Sequence, residues 1–388
     1  MNMKNLKCSK TWLALSLFFV VVSAQAAGFS YRADLLGIGE YYDAPNAAIL
    51  PPDQQSRFRL LAAQRLDLKY QTQQWLLIGK PRTDFGYTYF TGAQDGDHTE
   101  ATFTVHEALV RYSPLAKLFV SVGRESLQWG PAYLTSVSNP FSQDNGRNNP
   151  LMEVPGLDYA RVAWLPSKNW SISSIANLGR GELKYRFGEF ARQYALKLDY
   201  TSGSRYWSLI PSWREPGTAP NDSSADYRLS SYGGWTVSDA LLVYAEGTYR
   251  NLLGRYAALA GAAYTFTGGT NVALEYYHNS AGCTMNPYVA CATTIPSMPV
   301  STTQLGLART NYLLVQVMDP KRCERWNFTL RWISGLDDGA NQLIGIADYD
   351  LNPSAKIYFI GSGSLGSQQT EFRTLQNAFT SIGVRYSF

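Results

Sequence analysis

Beyond its first 26 residues the chain is a succession of short runs in which apolar and polar residues alternate. In the last run, Ala378, Thr380, Ile382, Val384, Tyr386 and Phe388 share one face, and Asn377, Phe379, Ser381, Gly383, Arg385 and Ser387 share the other. A period of two marks a β-strand with one apolar and one mainly polar face. Other runs sort the same way. Trp326, Phe328, Leu330 and Trp332 oppose Arg325, Asn327, Thr329 and Arg331; Leu196, Leu198 and Tyr200 oppose Ala195, Lys197 and Asp199. Val272, Leu274 and Tyr276 likewise oppose Ala273, Glu275 and Tyr277. One run resists: the register that puts Leu118, Val120 and Val122 on the apolar face puts Arg124 there too. Either a bulge near Gly123 re-aims the side chains that follow, or Arg124 stands above the apolar belt.

The pattern predicts strands at Phe29–Tyr41, Arg57–Tyr70, Gln74–Tyr89, Thr99–Tyr112, Lys117–Trp129 and Leu157–Leu165. Further strands are expected at Asn169–Leu178, Gln193–Tyr200, Arg205–Trp213, Tyr227–Trp235, Ala240–Arg250 and Arg255–Phe266. Asn271–His278, Gly306–Val317, Arg325–Ile333, Gln342–Tyr349, Lys356–Gly361 and Asn377–Phe388 complete a set of 18, with 16 as the other possible count. Every second connection is short, as at Gln71–Gln73, Ser113–Ala116, Pro166–Lys168, Thr201–Ser204, Thr236–Asp239 and Thr267–Thr270, and most hold turn-forming residues. Most of the others are long, such as Gly130–Gly156, Gly179–Arg192, Asn279–Leu305 and Ser362–Gln376. Short turns at one end and long loops at the other predict an all-β fold. The expected architecture is a transmembrane antiparallel up-and-down β-barrel, a single domain over residues 27–388 with both termini periplasmic.

Composition fits a wall with lipid on one side and water on the other. Aromatic residues reach 14% and charged residues only 16%, against roughly 25% charged in soluble domains. Mean hydropathy is −0.21, and no long uncharged apolar run follows the leader. In lipid, helices and closed barrels alone satisfy every backbone N–H and C=O. Tyr41, Tyr70, Tyr112, Tyr200 and Tyr386 at strand ends suit interfacial girdles.

At the start, Lys4, Lys7 and Lys10 precede apolar Trp12–Val22 and the small-x-small site Ala24-Gln25-Ala26, the order of a secretory signal. Residues 1–26 are expected to be removed, leaving 388 − 26 = 362. The formal charge of +4, less these three lysines, is +1, so any selectivity must come from local placement and no nucleic-acid partner is implied. Cys283 and Cys291, eight apart in a polar stretch, are expected to form a disulfide, with Cys323 unpaired.

The densest feature runs from Val122 to Arg161. Trp129-Gly130-Pro131 at a strand end, an Asn- and Pro-rich loop and the returning Gly156-Leu157-Asp158 together resemble the capsule-assembly Wzi family of outer-membrane barrels. Strand number and loop lengths are similar to alginate-export and substrate-specific porin families. Phe388, an aromatic closing the last strand, resembles the C-terminal signal that the barrel assembly machinery reads. The resemblance implies a bacterial outer-membrane protein in contact with lipid and lipopolysaccharide, inserted through its Phe388 strand and carrying no cofactor. It also implies one of two roles: a passive porin-like channel for small polar or sugar-like solutes, or a closed barrel in surface polysaccharide binding or export.

The loop Gly130–Gly156 is rich in Pro, Asn, Gly and aromatics, and long ordered loops are usually functional. Folded into the pore, it would set Asp144 and Arg147 against luminal charges; otherwise it packs on the surface. Arg124, Arg147 and Arg161 with Asp144, Glu107 and Glu125 are expected at the narrowest part, and Trp129 and Tyr133 offer stacking surfaces for sugars. Arginines along the strands, among them Arg59, Arg65, Arg111 and Arg331, alternate with acids such as Asp67, Asp199, Glu246 and Glu275. Inside a water-filled barrel they can shape a selective field or simply solvate the wall. No catalytic set emerges: His98, His106 and His278 are scattered, and no Gly-x-Ser-x-Gly elbow is present. Asp95, Asp97 and Glu100 are too few oxygens for a Ca²⁺ site, and no metal is expected.

Overall fold

The computed structural model describes residues 28–388 except 46–55, 91–96, 143–148, 182–189, 217–224, 252–253, 295–306 and 323. The leader segment, Asp95, Asp144, Arg147 and Cys323 thus lie outside the described residues. The alternating runs become β1 (Phe29–Asp43), β2 (Arg57–Gln71), β3 (Trp75–Phe90), β4 (His98–Leu115), β5 (Leu118–Glu125) and β6 (Leu157–Trp164). Then come β7 (Trp170–Gly179), β8 (Gln193–Ser202), β9 (Arg205–Arg214), β10 (Asp226–Thr236), β11 (Leu241–Arg250) and β12 (Arg255–Thr265). The last six are β13 (Asn271–Asn279), β14 (Asn311–Arg322), β15 (Trp326–Gly335), β16 (Ala340–Asn352), β17 (Ala355–Leu365) and β18 (Ala378–Ser387). Two short helices, α1 (Tyr288–Thr294) and α2 (Glu371–Leu375), sit in loops.

Each strand pairs antiparallel with its neighbours in sequence, and β1 pairs with both β2 and β18, from Asp34 opposite Ser387 to Asp43 opposite Ala378. The 18-stranded sheet is therefore closed and leaves no row of unpaired backbone groups. Outward positions carry exposed apolar side chains such as Leu60, Val122, Leu229, Leu274, Leu330 and Ile382, a greasy belt that only hydrocarbon covers. The alternation expected for 196–200, 272–277 and 325–332 is the one observed: Leu274 stands out while Ala273 and Glu275 are buried inside.

Strand ends differ from expectation most in β14, β5 and β17, the last of which runs on to Leu365 rather than Gly361. β14 begins at Asn311 rather than Gly306, and β5 stops at Glu125 rather than Trp129. The bulge expected near Gly123 is not there. β5 keeps unbroken register with β6 from Leu118–Trp164 to Glu125–Leu157. Register shifts lie elsewhere: in β4–β5 between Tyr112 and Leu115, in β6–β7 between Asp158 and Tyr159, and in β3–β4 between Lys80 and Pro81, which makes His106 the extra residue in β4. Proline, with no N–H to offer, is at home beside such a break. Arg124 consequently keeps the parity of Val120 and Val122, and its Nε reaches Asp158 at 2.8 Å.

All the long connections leave the same end of the barrel, where two of them, β13–β14 and β17–β18, meet the short β15–β16 turn in a buried cluster. Cys283 and Cys291 are bonded, with 5.8 Å between their Cα atoms. Arg309 pairs with Asp338 at 2.9 Å and donates to the Met285 carbonyl. Glu371 accepts from the Ala308 N–H at 2.7 Å and from the Tyr312 hydroxyl. Burial pushes the Glu371 carboxyl up to about 8.

Candidate functional site

β5 and β6, with eight residues each, are the shortest strands, so the wall is low between them. Of the connection between them, the described residues 126–142 and 149–156 fold inward onto the luminal wall. Gly130, at φ +94°, makes the entry possible: a Cβ there would lie 2.3 Å from a Glu246 carboxylate oxygen. Glu246 on β11 accepts from the Ala132 N–H at 3.0 Å and from the Ser138 N–H and hydroxyl at 3.1 and 2.8 Å. Glu275 on β13 accepts from the Tyr133 and Leu134 N–H groups at 2.6 and 2.8 Å and from the Tyr244 hydroxyl at 2.6 Å. The two carboxylates are 3% and 0% exposed, and a buried carboxylate is tolerable only when its oxygens are so satisfied.

Behind these anchors, Ala132, Leu134 and Val137 pack into one apolar cluster with Leu259, Leu314, Ile333 and Ile344 of the inner wall. The strap then turns on Asn139, whose side chain donates to the Leu127 carbonyl at 2.8 Å and accepts from the Phe141 N–H at 3.0 Å. Phe141 closes a second cluster with Tyr159, Ile175, Ala195 and Ile210.

The returning limb meets the opposite wall. Arg65 on β2 donates to the Leu151 carbonyl. Arg82 on β3 holds Glu153 with two prongs, Nε at 2.6 Å and Nη2 at 3.1 Å. His106 Nδ1 lies 3.2 Å from the same carboxylate and Arg65 Nη1 at 4.0 Å. Burial pushes Glu153 up, but contact with His106 and Arg82 and the charge of Arg65 outweigh it and hold the group well below the usual carboxylate range. The Gly156 N–H finally donates to the His106 carbonyl at 2.9 Å, which ties the end of the strap to the bulge in β4.

Around the strap the lumen is two-sided. On β2–β6 stand Arg59 with Glu100 (2.5 Å), Lys80 with Glu107 (3.0 Å), and Arg111 and Arg161 sharing Glu125 at 3.3 and 3.6 Å. Arg59, Lys80, Arg111 and Arg161 keep 27–31% of their side chains accessible, while Tyr312, Leu314 and Ile333 across the lumen keep 0–1%. Open space therefore lies along β2–β6.

Of the residues expected at the constriction, Glu125, Arg161 and Trp129 converge beside Lys197 of β8, whose ammonium lies 5.4 Å from the Trp129 ring centroid. Glu107 faces the lumen one pair further round. Arg124 sits at an outward-parity position against Asp158. Trp129 has Phe141 edge-on at 5.9 Å, and Tyr133 has Tyr244 edge-on at 6.4 Å, so both rings are engaged in holding the strap. The residues missing from the expectation are its fasteners: Glu153, Arg65, Arg82, His106, Glu246 and Glu275. Alternation put Glu246 and Glu275 on the inner face, but nothing local says that a loop over a hundred residues earlier in the chain supplies their partners.

A closed, all-antiparallel cylinder with an apolar belt and an inward-folded loop is the architecture of an outer-membrane β-barrel. No protein-family model and no curated protein matches the chain. Among solved structures it is similar to the outer membrane protein OprD from Pseudomonas aeruginosa, at 11% identity and a TM-score of 0.56, covering 94% of this chain and 95% of that one. Wzi of Escherichia coli, described as an outer membrane protein involved in group 1 capsule assembly and a carbohydrate-binding β-barrel, gives 11% and 0.57 over 92% of this chain and 84% of its own. OccK7 of P. aeruginosa gives 11% and 0.55 over 94% and 99%. At such identity the likeness establishes the barrel fold.

Proposed function

We propose that the protein is a passive, porin-like channel of a bacterial outer membrane for small polar or sugar-like solutes, with the strap 126–156 as its constriction. The observation that carries this reading is the water-accessible charge along β2–β6, set opposite a strap fastened to the far wall by Glu246 and Glu275. Glu125, Arg161, Lys197 and Glu107 border the path. Paired charges spaced along a wet wall shape a transverse field without obstructing flow. The long connections face outward, both termini lie in the periplasm, and the β18 strand ending near Phe388 serves the assembly machinery. Single-channel recording in planar bilayers is the test: discrete conductance steps are expected, and purified folded protein without steps defeats the proposal. Reversal potentials then read the charge preference.

A second reading is a closed barrel that binds surface polysaccharide. Burial of the strap from Ser136 to Phe141 favours it, since Ser138 is 0% exposed and Phe141 2%. It calls for no conductance and for retention of polysaccharide by expressing cells, lost on Trp129→Ala.

A further inference from the structure

We infer that Arg82, Arg65 and His106 form a carboxylate-binding site in the lumen, that the protein's own Glu153 fills it, and that small soluble carboxylates compete for it. The site has a rigid half and a replaceable half. Arg82 is 3% exposed, and its guanidinium is oriented by the Leu66 and Pro81 carbonyls at 2.7 and 3.0 Å and by Asp67 at 2.7 Å. None of those partners belongs to the strap, so the fork stays aimed when Glu153 leaves. His106 is fixed by the bulge in β4. Two-pronged arginine contacts suit any carboxylate, whatever chain carries it.

The replaceable half is the Glu153 side chain, 35% exposed and reachable from the wet arc. Among the described residues, the other holds on its limb include the Leu151 carbonyl on Arg65, the Leu151 side chain against Ile38 and Gly383, and the Gly156 N–H on the His106 carbonyl. The limb 131–138 differs in kind. There the wall supplies the carboxylates and the strap supplies backbone N–H groups, so a solute carboxylate has nothing to replace. Asp67 faces the site from β2, Asp84 and Lys80 from β3 and Glu107 from β4. These acids nearly balance the cations once Glu153 is gone, which suits a single carboxylate better than a multiply charged anion. Release of Glu153 frees one limb of the constriction while the other stays docked. That consequence rests on the channel reading; the binding does not.

Beyond Cα, the Glu153 side chain is propionate, which makes propionate the probe. Detergent-solubilised full-length protein is titrated with ¹³C-carboxyl propionate and followed by NMR. Glu153→Gln is expected to bind roughly tenfold more tightly than wild type or better, because a short tether holds its own group at millimolar effective concentration. Propionamide binds neither. Glu153→Asp, one methylene shorter, falls between them, and heat-modifiable migration on gels reports that each barrel is folded. Equal propionate affinity in wild type and Glu153→Gln, or no binding to either, overturns the inference. In bilayers, propionate should raise wild-type conductance towards the level that Glu153→Gln shows without it. Binding as described with no steps in any protein would leave the site standing and remove the channel. Steps without binding would do the reverse.

Discussion

The inner walls of β11–β17 and of β2–β6 face each other across one lumen and hold the same strap by opposite means. On β11–β17 the inward residues are mostly Leu, Ile, Ala and Tyr, and the strap lies on them as part of a dry core. Two acids there, Glu246 and Glu275, are buried and saturated by donors. On β2–β6 the inward residues include Arg59, Lys80, Arg111 and Arg161, each paired with an acid and partly open to water. Exposed pairs of that kind contribute little to stability each, about 0–1 kcal/mol, whereas a buried carboxylate is costly to strip of its donors. One wall therefore fixes the strap and the other stays open to water. A barrel this wide can afford the asymmetry because its closure is supplied by the backbone ladder and not by what fills it.

Breaking the fixed side should have the largest effect. The double variant Glu246→Ala and Glu275→Ala leaves buried strap N–H groups unsatisfied at about 1–3 kcal/mol each. The strap is expected to undock, conductance to rise severalfold, and residues 131–142 to become cleavable by added protease while the barrel remains heat-modifiable. Unchanged single-channel traces would show that the anchors do not set the aperture. Next comes a matched pair of lysines. Ile333→Lys, on the dry wall between Leu314 and Gln342, should cost about 3 kcal/mol or more, since it buries a charge with no acid opposite it on either neighbouring strand. Thr102→Lys on the wet wall, opposite Asp84, should stay within about 0.5 kcal/mol. Urea unfolding in micelles reads both, and equal losses would abolish the distinction between the walls.

Gly130→Ala is a milder perturbation of the entry. It forces a side chain into φ +94° against Glu246, worth about 1–3 kcal/mol of strap docking. Protease access at 131–142 reports it. The smallest effects are the pH responses of two acids shifted in opposite directions. Glu371, in the loop-end cluster, is pushed up to about 8 by burial. An acid protonated in the folded state and ionised when released loses stability as pH rises from its ordinary value of 4.5 through 8. Hydrogen exchange in 371–377 should therefore speed up over that window, and Glu371→Gln should flatten the response. Glu153, held below the usual range, contributes docking that is present above about pH 4.5 and lost as pH falls further. Exchange at 149–153 should respond only in acid. Responses of the same sign at both places would contradict the two environments.

Much of the wall was legible because each strand carries its own record. Trp326 to Arg331 names its outward and inward residues by alternation, with no help from distant parts of the chain. The low wall at β5–β6 was not legible, because Leu127 and Trp129 continue an alternation that the structure ends at Glu125. The bulge was assigned to the wrong strand for a related reason. Arg124 looked misplaced in its own run, but the register break belongs to β4 beside Pro81. Glu125, Trp129 and Arg161 were singled out from their density in sequence, and the structure brings them together beside Lys197, while Glu153 carried no sign of its partners on β2, β3 and β4.

By itself, then, the sequence determined the cylinder: a period of two repeated in short runs, separated by alternately short and long connections, admits one closed solution in lipid. Those are local properties, since each side chain need only know which face of its strand it occupies. Tertiary structure alone decided what lies inside. The strap's fasteners come from β2, β3, β4, β11 and β13, brought together only when β1 meets β18, and a carboxylate's role depends on which donors that closure delivers to it.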